Sequence, residues 1–165
     1  VLLDITTFNI CETIVQTVNT LEGTAAKKEI SFVLDYNTQK ELLVEADESK
    51  IHQVLYNLID NAVKFSHNNS EIKISLRKKG AKVFVSVKDS GIGIPKESLN
   101  KVFDRFYKTD ISRGKDKRGT GLGLSISKEI IQAHNQTINV VSTVDVGTEF
   151  VFTLKYHSKK QEASS

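Results

Sequence analysis

The chain has 165 residues, of which 39% are hydrophobic and 26% charged, and a formal net charge of +3. Those values fit a single globular domain with a buried core, and the charge is too small to argue for nucleic acid or a membrane surface as partner. A single cysteine, Cys11, excludes an internal disulfide and any CxxC metal site, and no apolar run is long enough for a membrane span.

In chain order, residues 1–7 carry no regular pattern and read as a linker remnant; the chain starts at Val1 rather than Met, which suggests a piece of something longer. Residues 8–10 suit a short strand. Residues 10–27 are amphipathic, with Ile14, Val15, Val18, Leu21 and Ala25 in one stripe and Cys11 as a packed thiol. Residues 30–36 and 42–46 are β-rich, and Asp47 stands where it would cap the next helix.

That helix, residues 51–65, organises the rest. Ile51, Val54, Leu55, Leu58, Ile59 and Ala62 cover one arc, and Gln53, Asn57, Asn61 and Lys64 form a second stripe beside it, with Phe65 at the boundary. Asn is a poor helix former, so two of them one turn apart ask for a reason. Their amide oxygens suit a hard cation, and Lys64 suits an anion. The helix reads as one wall of a metal–phosphate site, or as a polar face that happens to hold two Asn. His52 projects from the face opposite Asn61 and is expected in solvent.

After a turn at residues 67–70, Ile72, Ile74 and Leu76 alternate with polar residues, as do Ala81, Val83, Val85 and Val87, with Lys79-Gly80 as the hairpin turn. The second strand ends at Asp89 and enters Ser-Gly-Ile-Gly-Ile-Pro. A carboxylate there can accept from an exocyclic amine while Gly91 and Gly93 let a ring approach the backbone; the other reading is an ordinary glycine-rich turn. A short helix is expected at about 99–106. Between Lys101 and Arg118 stand seven Lys or Arg against three Asp, a polar stretch suited to a mobile lid. Phe103, Phe106 and Tyr107 would cover a ligand or join the core, with at least one packed.

Gly119, Gly121 and Gly123, alternating with Thr120, Leu122 and Leu124, open a helix that runs to about His134, and Asn135 suits a left-handed stop. The glycines leave N–H groups free for an anion at the helix start, or simply make a flexible loop. The spacing matches neither GxGxxG nor GxxxxGK[ST]. A last hairpin pairs residues 138–144 with 148–156 through Asp145-Val146-Gly147. The resulting fold class is α+β: a two-layer sandwich with about three helices on one face of a mixed, mostly antiparallel sheet. Residues 8–156 form the domain, and 157–165 a frayed tail.

In order, an Asn-bearing helix, DSGIGIP, VFDRFYK and GTGLGL resemble the ATP-binding catalytic domain of sensor histidine kinases, a member of the GHKL superfamily with the Bergerat fold. The resemblance implies ATP and Mg²⁺ as ligands. It implies that Asn61 ligates Mg²⁺ with Asn57 as helper, that Lys64 contacts phosphate, and that Phe65 lies beside the nucleotide. Asp89 would accept from the adenine amino group above Gly91 and Gly93. Residues 119–124 (Gly119, Thr120, Gly121, Leu122, Gly123 and Leu124) would form the phosphate loop, and Arg105 and Arg118 would reach the phosphates from the lid. Hydrolysing members, such as type II topoisomerases, carry a general-base Glu four residues before the Mg²⁺ Asn; here that residue is Asn57, which favours a kinase over a water-hydrolysing ATPase, while the intact motifs favour it over a regulatory pseudokinase. None of His52, His67, His134 and His157 stands in a phosphoacceptor context. The acceptor would lie on a separate dimerisation domain, with a response regulator downstream. The chain itself would contact neither nucleic acid nor membrane, as the cytoplasmic part of a membrane-bound sensor.

Overall fold

A computed structural model describes residues 2–36, 40–104 and 123–158. Strand β1 (Ile5–Asn9) leads directly into helix α1 (Ile10–Ala26), followed by β2 (Ser31–Asp35), β3 (Leu43–Asp47) and helix α2 (Glu48–Phe65). The hairpin β4 (Glu71–Lys79) and β5 (Lys82–Asp89), a 3-10 turn (Lys96–Ser98), helix α3 (Gly123–Ala133) and the hairpin β6 (Ile138–Thr143) and β7 (Gly147–Tyr156) complete it.

Four helix ends among the described residues have a local cause. Asn9 Oδ1 caps α1 by accepting from the Cys11 N–H at 3.1 Å and also takes the Leu42 N–H at 3.0 Å, which ties the helix start to the approach to β3. Asp47 caps α2 through the Lys50 N–H at 3.3 Å. At the far ends, Glu29 (φ 55°) and Asn135 (φ 58°) turn left-handed, and the next residues donate back, Ile30 to Ala25 and Gln136 to Ile131. The expected stop at Asn135 is thus present, and Glu29 makes the same turn without a glycine or an Asn.

The strands form one sheet in the order β1-β3-β7-β5-β4-β2, with β6 also paired to β7. Among the described strands, only β2 and β4 are parallel; the other pairs are antiparallel. Alternation decides the faces. Ile72, Ile74 and Leu76 of β4, Val83, Val85 and Val87 of β5, and Phe150, Phe152 and Leu154 of β7 point to the helices and are buried. Ile51, Val54, Leu55, Leu58, Ile59, Ala62 and Val63 of α2 meet them. Each of the larger side chains gains about 1.5–3 kcal/mol on leaving water. Lys73, Lys82 and Lys88 project from the opposite, exposed face. The expected two-layer α+β fold is therefore present, and Cys11 is a buried free thiol.

Several details differ from expectation. Residues 5–7, read as linker, belong to β1, because antiparallel pairing with β3 reaches from Ile5↔Asp47 to Asn9↔Leu43. The fold also passes residue 156: the His157 N–H donates to Leu43 O at 2.9 Å, and its Nδ1 lies 3.0 Å from Glu45 Oε2. Val15, assigned to the core stripe of α1, is 42% exposed because it faces a groove between α1 and β2. Residues 99–104 make successive i→i−3 turns, not a regular helix. His52 is not solvated: it shares a helical face with buried Ile59 and Val63, and its Nε2 is buried.

Candidate functional site

The site is built on the two ends of α2's polar stripe. At one end, Asn57 Nδ2 donates to Gly123 O at 3.1 Å and to Ser127 Oγ at 3.3 Å, while Ser127 Oγ donates to the same carbonyl at 2.9 Å. The last glycine of the GTGLGL run is thereby fixed beside the first Asn of the helix. With its amide nitrogen engaged, Asn57 keeps Oδ1 as an acceptor. Asn61 follows one turn later, half-buried on the same stripe. Lys64 pairs with Asp60 at 3.1 Å, at a partly exposed position where such a pair contributes little.

At the other end stands Asp89. It continues the inward register of Val83, Val85 and Val87, so its carboxylate points to the helix layer and is only 7% exposed. Asp89 Oδ1 accepts from the N–H groups of Gly91 at 2.9 Å and Thr148 at 3.3 Å. Burial pushes the carboxyl above its usual range, opposed by those two N–H groups and by the nearby charge of His67. The second oxygen is left to receive a donor. A buried carboxylate held on one side by backbone and open on the other is suited to an amino group on a ring.

The two glycines of DSGIGIP have a clear structural duty. A Cβ on Gly91 would lie 2.1 Å from Phe65 O, and one on Gly93, at φ 76°, would lie 2.2 Å from Thr143 O. The loop is docked there by the Ile92 N–H to Phe65 O at 3.2 Å, the Asp145 N–H to Ile92 O at 2.8 Å and the Ile94 N–H to Ser142 Oγ at 2.7 Å. It thus bridges the C-terminus of α2 and the β6–β7 turn. Phe65, half-buried, sits at that junction. Phe103 packs edge-on against Phe150 with ring centroids 6.0 Å apart, so this aromatic belongs to the core boundary. Leu124 also packs against the core. Arg105, Phe106, Tyr107, Arg118, Gly119, Thr120, Gly121 and Leu122 lie outside the described residues.

Three participants escaped the sequence reading. Thr148 holds Asp89, Ser127 shares Asn57's bond to Gly123, and Gly147 has no room for a side chain, since a Cβ would meet Asp89 O at 2.1 Å. One signal was available. Thr148 interrupts the inward apolar series Phe150, Phe152, Leu154 just as Asp89 interrupts its own, and the two are paired across the strands.

A magnesium ion fits this donor set in one respect. Among the described residues there is no group of three acidic, His or Cys side chains to hold a metal. The protein's offer is neutral amide oxygen, from Asn61 and Asn57, which suits a hard cation whose remaining ligands are phosphate oxygens and water.

In this fold an amide-bearing helix thus lies between Gly123 and the Gly91–Gly93 loop. Residues 46–158 match the family described as histidine kinase-, DNA gyrase B- and HSP90-like ATPases. The chain belongs to that family, and within it to the ATP-binding catalytic domains of sensor histidine kinases. It is 44% identical over 125 residues to the sensor histidine kinase WalK of Bacillus subtilis (strain 168), covering 74% of this chain and 20% of that protein. The nucleotide-free catalytic domain of histidine kinase ThkA superposes with a TM-score of 0.81 at 36% identity, covering 93% of this chain and 96% of the other. A second ThkA structure, in complex with the response regulator protein TrrA, gives 0.77 at 34% identity, covering 94% of this chain and 43% of that one. The chain thus spans between 20% and 31% of the length of the curated relatives it matches. No helix among the described residues is long and apolar enough to cross a membrane.

Proposed function

We propose that this chain binds Mg-ATP and presents the γ-phosphoryl group to a histidine on a separate dimerisation domain of the same protein. The response regulator acts downstream, and the chain is the cytoplasmic part of a membrane-anchored sensor. The observation that carries the reading is the pairing of a buried, half-satisfied Asp89 near the C-terminal end of α2 with Asn57, at mid-helix, fixed to Gly123. The first suits the adenine amino group and the second the phosphates. Relatives named as sensor histidine kinases support the phosphotransfer, and the ThkA complex with TrrA supports the response-regulator partner.

In this mechanism Asp89 accepts from the adenine amino group and rejects guanine, whose carbonyl would face it. Asn61, with Asn57, supplies amide oxygen to Mg²⁺, which neutralises charge on the phosphates when bound. Lys64 exchanges its weak pairing with Asp60 for a phosphate oxygen. Gly119, Thr120, Gly121 and Gly123 offer backbone N–H groups to the phosphates, and Arg105 and Arg118 offer charge. Phosphoryl transfer requires positioning and charge neutralisation more than covalent participation. An imidazole brings its own nucleophilic nitrogen, so Asn57 at the position of a general base is no handicap to it and leaves water unactivated.

The test incubates γ-labelled ATP with this chain alone and with a matched histidine-bearing fragment. Acid-labile label on the partner and slow phosphate release by the chain alone are expected. Brisk phosphate release without the partner, or label on His52, His67, His134 or His157, would overturn the proposal.

A further inference from the structure

An α-helix leaves its last four carbonyls without partners of its own. In α2 these are Ala62, Val63, Lys64 and Phe65, and every one is satisfied from outside the helical ladder. Ser66 Oγ donates to Ala62 O at 2.6 Å, and the Ile92 N–H donates to Phe65 O at 3.2 Å. The two between them are taken by one side chain: Lys28 Nζ donates to Val63 O at 2.8 Å and to Lys64 O at 3.2 Å. Lys28 lies 35 residues earlier than Val63, in the turn between α1 and β2. Its backbone is held on both sides, with its N–H on Ala25 O at 3.0 Å and its carbonyl receiving the Asn69 N–H at 2.9 Å. An ammonium at a helix C-terminus also faces the negative end of the helix dipole.

We propose that Lys28 is a positioning residue for the nucleotide site, acting through the last turn of α2. The chain of contacts is short. Lys28 fixes the carbonyls of Val63 and Lys64; the next carbonyl, of Phe65, docks Ile92; and the neighbouring Gly91 N–H orients the carboxylate of Asp89. The same turn carries Lys64 and Phe65. Removing the ammonium leaves two carbonyls facing no cation and frees the turn to shift, which moves the docking point of the Asp89 loop. The inference rests on the reading of Asp89 as the adenine acceptor.

The test uses the whole chain and ADP as probe, titrated calorimetrically at a temperature where each variant is folded. Lys28→Met, which keeps the apolar stem, is expected to weaken ADP binding about five- to twentyfold. Lys28→Arg, which keeps charge and donors, is expected to stay within about threefold of the unmutated chain. Hydrogen exchange at the Ile92 and Gly91 amides should accelerate in Lys28→Met while the amides of β4, β5 and β7 keep their protection. A role in stability alone would lower the melting temperature and leave the ADP affinity of the folded protein where it was. A folded Lys28→Met variant that binds ADP within about twofold, or an Arg variant as weak as the Met variant, overturns the proposal. If Lys28→Met does not fold in buffer, the same titrations in trimethylamine N-oxide, which favours the compact state, decide the question. An unmutated chain that binds no ADP would instead refute the nucleotide reading. Exchange at Ile92 then judges the clamp by itself, and unaltered exchange overturns it.

Discussion

Gly91→Ala separates two accounts of the DSGIGIP loop. The added Cβ would start 2.1 Å from Phe65 O and 2.8 Å from Phe65 C, both backbone atoms that no rotamer change can move. An ordinary carbon–oxygen contact needs about 3.2–3.4 Å, so the loop must withdraw by about 1 Å. That withdrawal breaks the 3.2 Å bond from the Ile92 N–H to Phe65 O. It also drags the Gly91 N–H away from Asp89 Oδ1, now 2.9 Å distant. Two lost hydrogen bonds, one of them to a charged group, amount to about 2–4 kcal/mol before relaxation. A misplacement of about 1 Å in the ligand's anchoring group further costs up to about a hundredfold in function. Chemical denaturation should therefore show a loss of about 2 kcal/mol or more, and calorimetry should show ADP affinity down at least about tenfold. If the loop glycine served only to let a base approach, stability would be unchanged. A variant within about 0.5 kcal/mol of the unmutated protein would refute the close-approach argument.

Other substitutions follow from the same geometry. Glu29→Gly should raise stability by about 0.5–1 kcal/mol in denaturant titration, because a left-handed residue with a Cβ closes α1. Gly123→Ala meets only Asn57 side-chain atoms at 3.7 Å or beyond, so its fold should be intact, and any loss of binding that falls more heavily on ATP than on adenosine would report on phosphate approach. Asp89 has a raised carboxyl pKa in the fold, so its favourable contribution is complete below the unfolded value near about 4 and is lost as pH rises through the folded value. Asp89→Asn should therefore melt higher than the unmutated chain at pH 7, with the gap closing toward pH 4, while the preference for ATP over GTP collapses. Asp47 behaves oppositely: the Asp4 N–H first, then the Lys50 N–H and Ser49, hold its carboxyl below the usual range. Its contribution is present above the unfolded value and lost as pH falls through the folded one, so Asp47→Asn should flatten the acid limb of a melting-temperature profile.

Much of this site was legible because its signals are local. The period of α2, the Asn pair, Asp89 at a strand end and the left-handed stop at Asn135 are all set by neighbours within a turn or a hairpin. What escaped depends on distance along the chain. Nothing near Lys28 announces that it will meet carbonyls of α2, and nothing near Thr148 announces Asp89, except that Thr148 and Asp89 each break an inward apolar register. The glycines were found but for one of two possible reasons: sequence cannot distinguish room for a ligand from room for the carbonyls of Phe65 and Thr143. Val15 and His52 exchanged environments because periodicity fixes the angle between residues, not which neighbouring element covers each face.

The position of β3 has a mechanical consequence. It lies between β1 and β7, which run in the same direction on either side of it, both antiparallel to β3. Tension applied near Asp4 and near His157 therefore pulls in opposite senses along one short strand. Such a load falls on the β1–β3 ladder in shear, with several hydrogen bonds sharing it, instead of peeling them apart singly. The first side chain to feel the pull is Asp47, which receives the Asp4 N–H at 3.0 Å and caps the helix that carries Asn57 and Asn61. A tug on the leading end of the domain is thus delivered to the head of α2.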